Sequence, residues 1–95
     1  MGRKTTMPYI RKDMRPAFDK HLKALGPHTT SAGDLNYCIT VLVHEYLKAH
    51  GKSYSVMNDC IGVLDAAKME FYRRIVVPYE DQKIEENGDI EILRK

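Results

Sequence analysis

Ninety-five residues with 43% hydrophobic and 29% charged side chains describe one small soluble-type domain with a thin stability margin. No apolar run approaches the ~20 residues of a membrane span, and the opening MGRKTTMPYI lacks the apolar stretch of a signal peptide, so a cytoplasmic protein is expected. The net charge of +2 is too small for a strong general nucleic-acid binder.

That charge is unevenly spread. Residues 1–26 hold seven Lys/Arg against two acids, residues 27–78 hold five against five, and residues 79–95 hold three against six. A basic head and an acidic tail can pair within a chain or between neighbouring subunits. Residues 1–6 read as a polar extension before Met7, which with Met1 is one of two candidate starts; residues 7–95 form the expected helical domain. RPAFDKHLKALG predicts the first helix, with Pro16 in its first turn, Gly26 at its stop, and Phe18, Leu22 and Leu25 at helical spacing. Pro27 through Thr30 form a linker.

The second helix starts at Ser31 and Asp34, which have the spacing of an N-terminal capping box. Leu35, Ile39, Leu42 and Tyr46 then recur at four, three and four residues, widened by Cys38, Val43 and Leu47. Gly51 ends it in a left-handed position. The third helix is expected to begin near Ser55, with that hydroxyl as its cap. Met57, Ile61, Leu64, Lys68, Phe71 and Ile75 share one face, beside Cys60 and Ala67. Gly62 sits mid-helix at a cost of roughly 1 kcal/mol relative to Ala, and close approach of another helix is the expected compensation. Pro78 is expected to end this helix because it disfavours helical geometry at Val77. YEDQKIEE predicts a last short helix, Asn87-Gly88 a turn, and IEIL a short strand that would need a partner from another subunit.

The fold class is therefore all-α: three to four short helices in a small bundle with a polar C-terminal tail. One short helix cannot cover the broad apolar faces of helices two and three, so a homo-oligomer, a dimer or tetramer, is expected. Cys38 and Cys60 lie within helical patterns and read as small reduced core residues.

No catalytic or cofactor motif survives inspection. HEYLKAH resembles a metalloprotease helix, but Lys48 stands where the second histidine belongs, and His44 and His50 are six apart; no metal site is expected. There is no P-loop, no dinucleotide glycine pattern and no nucleophile with a spaced base, so neither an enzyme nor a bound cofactor is expected. HGKSYS joins two helices as a helix-turn-helix does, but the following helix opens on Val56, Met57, Asn58 and Asp59, which sets an acid towards phosphate.

FYRRIVVPYEDQKIEENGD, from Phe71 to Asp89, is the stretch with ligand-binding chemistry. Arg73 and Arg74 are placed in the last turn of helix three, where the helix dipole favours cations. Arginine also grips phosphate with a planar fork, and the tyrosines Tyr72 and Tyr79 offer faces on which a base stacks. Lys83 adds a cation. The plain alternative is that Arg73 and Arg74 pair with Glu80 and Asp81. Asn36-Tyr37 and Asn58-Asp59 open helices two and three; they either bond locally or present Tyr37 as a further stacking face and Asn58 as a reader of a base edge.

The blocks GDLNY (Gly33–Tyr37), ND with IG (Asn58–Gly62) and EFYRR…PYED.KIEENGD (Glu70–Asp89) resemble a family of small proteins of unknown function, widespread in phages and prokaryotic mobile elements. The resemblance runs from about Met7 to Asp89 and brings no catalytic residues with it. By analogy of size and setting, it implies an anti-CBASS nucleotide sponge in the host-cell cytoplasm: an oligomer that sequesters a cyclic dinucleotide such as cGAMP. Arg73, Arg74, Tyr72, Tyr79, Lys83, Tyr37 and Asn58 are the expected ligand-binding residues, each presented twice at a two-fold interface. The reading requires that the guanidiniums not be consumed by carboxylates of their own chain. Its rivals are a helical protein–protein interaction module and a small DNA-binding regulator.

Overall fold

The computed structural model describes residues 9–93. The protein is all-α: α1 is Arg15–Leu25, α2 is Ala32–His50, α3 is Tyr54–Phe71 and α4 is Val77–Asn87. Among the described residues there is no strand, and IEIL, expected as one, carries a 3-10 turn at Glu91–Leu93 instead. A local i→i+3 bond from the Leu93 N–H to the Ile90 carbonyl satisfies the backbone there instead. The expected extension at residues 1–6 lies outside the described residues.

The chain divides into two units, one up to Leu42 and one from Val43 onward, so the division falls inside α2. In the first unit, Pro16 occupies the first turn of α1, where its missing N–H costs nothing. Arg11 pairs with Asp13 at 3.3 Å, and Arg15 Nε donates to the Ile10 carbonyl at 3.2 Å, tying down the approach to α1. A 3-10 turn, Gly26–His28, follows α1, and Thr29 closes it by donating to the Gly26 carbonyl.

The start of α2 is the predicted capping box. Asp34 N–H donates to Ser31 Oγ at 3.1 Å, and the Asp34 carboxylate accepts from both the Thr30 N–H and the Thr30 hydroxyl at 3.0 Å. These bonds favour the ionised carboxylate, the Thr30 backbone donor most of all, and hold the Asp34 pKa below its ordinary 3.8.

In the second unit, Gly51 ends α2 at φ 94°, the left-handed conformation expected there. The cap of α3 is Ser53, not Ser55: Ser53 has extended backbone and its Oγ accepts from the Val56 N–H at 3.1 Å. Both serines have capping chemistry; the short connection after Gly51 starts the helix two residues early and leaves Ser55 inside it.

Pro78 does not end the helical run. α3 passes into a π-helical turn, Tyr72–Val76, and then into α4, so residues 54–87 are continuously helical. The Val77 N–H reaches back to the Tyr72 carbonyl, one residue further than an α-helix would. In a regular helix the proline ring collides with the carbonyl four residues earlier, here Arg74, and leaves it without a donor. The wider turn absorbs one residue ahead of the proline and places Pro78 in the first turn of α4, where proline is tolerated. Gly88, at φ 86°, then terminates α4.

None of the described residues is buried. The half-buried positions of α2 are Cys38, Val43 and Leu47, and those of α3 are Val56, Cys60 and Glu70. The principal stripes remain in water: Leu35, Ile39, Leu42 and Tyr46 on α2, and Met57, Ile61, Leu64, Phe71 and Ile75 along the run from α3. Cys38 and Cys60 are free thiols. No helix among the described residues is long and apolar enough to cross a membrane. A Cβ built at Gly62 meets no atom within 4 Å among the described residues.

Two predictions follow from these local geometries. Asp34 has a depressed folded-state pKa, so its contribution to stability is complete above the ordinary value of 3.8 and is lost as pH falls through the lower folded value. Acid denaturation followed by circular dichroism should show this loss below pH 3.8 in the native chain, and Asp34→Asn should be insensitive there. Gly62→Ala should raise the unfolding free energy by up to about 1 kcal/mol, since the methyl enters open space and the helix propensity improves. A destabilised Gly62→Ala protein would instead place a second copy's helix against this glycine.

Candidate functional site

The π turn organises the candidate site. Tyr72, Arg73 and Arg74 all lie in it, in the interior of the 54–87 run and not at a helix end as expected. The negative end of a helix dipole is therefore absent from their surroundings, and a neighbouring carboxylate supplies the counter-charge. That carboxylate is Glu70: Arg73 Nη2 donates to Oε1 at 3.1 Å and Arg74 Nη1 donates to Oε2 at 3.0 Å. The expected partners Glu80 and Asp81 are not the ones used. Glu70 lies three and four residues before the arginines, the spacing at which side chains on a helix meet, whereas Glu80 and Asp81 lie beyond the proline.

Glu80 serves Tyr72 instead, accepting from its hydroxyl at 3.3 Å across the π turn. One turn further on, Lys83 Nζ stands 5.5 Å from the centre of the Tyr79 ring, within cation–π range, and pairs with Glu86 at 3.3 Å. Tyr72, Arg73, Arg74, Tyr79 and Lys83 thus occupy successive turns of one helical run, and all five are exposed. A groove of about 640 Å³ runs beside them, lined by Ala66, Lys68, Met69, Glu70, Tyr72, Arg73 and Val77.

The other two predicted residues stand elsewhere. Asn58 lies near the start of α3, about four turns or ~22 Å before the arginines along the same helix, so one small ligand cannot touch both in a single copy. Tyr37 is on α2 and is 70% exposed.

Each guanidinium gives one nitrogen to Glu70, so the donors expected for a ligand are engaged in part, not consumed, by their own chain. Sequence inspection missed Glu70, although its position one turn before the arginines was the available signal. These are exposed pairs, with the Arg73 and Arg74 side chains 71% and 58% exposed, and such pairs are individually weak. The remaining guanidinium donors, the phenol faces and the Lys83 ammonium make a surface suited to an oxyanion attached to a planar group, in competition with resident acids.

Among the described residues, no group of three or more His, Cys, Asp or Glu side chains gathers to hold a metal ion. The His50 ring lies 4.3 Å from that of Tyr46, one turn earlier on the end of α2.

The chain belongs to the family described as Domain of unknown function (DUF6899), which matches residues 7–90. The match opens at Met7 and closes beside Asp89, the span of the resemblance read from the sequence. No curated protein and no solved structure matches the chain.

Proposed function

We propose that this member of the DUF6899 family is a non-catalytic binding protein that works as a homo-oligomer, in which second copies cover the apolar stripes of α2 and α3. The observation that carries this reading is the exposure of those stripes: Leu42 is 64% exposed, Ile61 60% and Phe71 60%, in a chain with no buried residue among those described. Burying one such side chain fully is worth roughly 1.5–3 kcal/mol, the largest stabilising source open to so short a chain. A second copy fits because it brings equally broad apolar faces in a closed symmetric arrangement. The charges of the two chain ends are complementary between copies, with seven cations and two acids in residues 1–26 and three cations and six acids in residues 79–95.

The ligand we assign to this assembly is a phosphate-bearing nucleotide, in its most specific form a cyclic dinucleotide such as cGAMP, sequestered as an immune signal in a phage or mobile-element setting. The exposed guanidiniums of Arg73 and Arg74 beside the phenols of Tyr72 and Tyr79 support it. A two-fold axis would present the set twice to a ligand with two phosphates and two bases. Glu70 and Glu80 oppose it, since both draw on the same side chains. The rival is a helical module whose stripes receive a different protein. A DNA-binding regulator is third, on account of its small basic excess.

Native mass spectrometry of protein purified from cells should show a dimer or tetramer, and Leu42→Asp or Ile61→Asp should shift it to monomer with a lower midpoint of unfolding. A wild-type monomer in dilute solution sinks the proposal. Calorimetric titration with cyclic dinucleotides should give heat that Arg73→Ala/Arg74→Ala abolishes. Absence of heat with any nucleotide at micromolar concentration rejects the ligand while leaving the oligomer standing. Capture of one discrete protein partner, sensitive to Leu42→Asp and indifferent to Arg73→Ala, would favour the rival.

A further inference from the structure

Neighbouring residues on a helix point about 100° apart, so adjacent arginines normally diverge. Arg73 and Arg74 instead converge on one group. The two oxygens of Glu70 are divided between them, Oε1 to Arg73 and Oε2 to Arg74. Glu70 sits one turn towards the N-terminus, and long helical side chains lean that way, which brings both guanidiniums over it. The result is a planar oxyanion held between two planar cations. The carboxylate side chain is 25% exposed, far less than either arginine, so it lies on the inner side of the pair.

We infer that Glu70 is an internal stand-in for an anionic ligand: Arg73 and Arg74 form a seat for a phosphate or pyrophosphate group, and the Glu70 carboxylate occupies that seat until the ligand displaces it. The inference rests on the phosphate-bearing-nucleotide reading above and narrows it: each phosphodiester of a cyclic dinucleotide carries one negative charge, no more than the carboxylate, so the ligand this seat takes is a nucleotide with a terminal phosphate or pyrophosphate. A carboxylate carries a single negative charge, whereas a phosphate monoester carries about −1.5 to −2 and three acceptor oxygens. Because exposed ion pairs are weak, a multiply charged phosphate can take both arginines from Glu70, while a weakly charged anion cannot. The same carboxylate halves the charge of the two adjacent cations when no ligand is present, which weakens indiscriminate binding to polyanions. The groove beside Glu70 and Arg73 gives the displaced side chain and the rest of a ligand room to lie along the helix.

The probe is inorganic pyrophosphate, titrated calorimetrically into the full chain. Four proteins are compared: wild type, Glu70→Gln, Arg73→Ala/Arg74→Ala and, as a charge control about four turns along the helix, Glu85→Gln. Circular dichroism and native mass spectrometry check that helicity and subunit number are retained, and Glu70→Ala serves as a second variant should the glutamine perturb either. Glu70→Gln should bind pyrophosphate roughly three- to tenfold more tightly than wild type, the scale of one or two exposed ion pairs. Glu85→Gln should match wild type within about twofold, since a charge that far away is screened. The double arginine variant should not bind. Equal or weaker binding by Glu70→Gln, with wild-type binding still lost in the arginine variant, overturns the displacement mechanism and leaves the anion site in place. Tightening by Glu85→Gln as large as that by Glu70→Gln overturns it as well, since the effect would then be one of net charge. No binding by either wild type or Glu70→Gln overturns both the mechanism and the site.

Discussion

Apolar side chains left exposed among the described residues set the terms for this protein. α2 and α3 each carry a stripe of large residues at helical spacing, and in each the stripe lies in water while smaller neighbours are half-buried. Helices of this length draw most of their stability from packing an amphipathic face, not from propensity. Well-formed caps at Ser31 and Ser53 fix where the helices start but supply only about 1 kcal/mol each. The self-assembly proposed here would supply such a packing surface.

The second determinant is the π turn. By taking up one residue before Pro78, it keeps 54–87 as one helical run. Had the helix ended at Val77, Arg73 and Arg74 would have faced open carbonyls at a negative dipole end. In the helix interior those carbonyls are bonded, and the arginines turn to the nearest acid one turn back. The candidate site is consequently close to neutral. Three cations, Arg73, Arg74 and Lys83, are matched by Glu70 and Glu86, with Glu80 held on Tyr72. On the displacement mechanism proposed here, a site so balanced selects by charge density.

Local chemistry was legible in the sequence wherever one residue decides the backbone. Gly51 takes the left-handed conformation expected of it, Gly88 stops α4 where a turn was expected, Pro16 opens α1, and Ser31 with Asp34 caps α2. Readings failed where two residues of equal aptitude competed or where the helix could adapt. Ser53 and Ser55 are both good caps, and chain geometry after Gly51 chose between them. Pro78 is a helix breaker in an α register and a tolerated residue after a π turn, and periodicity alone does not reveal an extra residue absorbed in one turn. Glu80 and Asp81 looked like partners for the arginines because they are near in sequence, yet the i−3 and i−4 position of Glu70 is nearer in space.

The sequence by itself determined the all-α class, the start and stop of most helices, and the gathering of cations and phenols between residues 72 and 83, because propensity, capping and local spacing act over a few residues. Only the tertiary structure decided that the run from α3 continues through Pro78, that Glu70 divides itself between two arginines, that Asn58 stands four turns away from them, and that Gly62 meets no neighbour. Those outcomes depend on distances and directions in three dimensions, which residue order constrains but does not state.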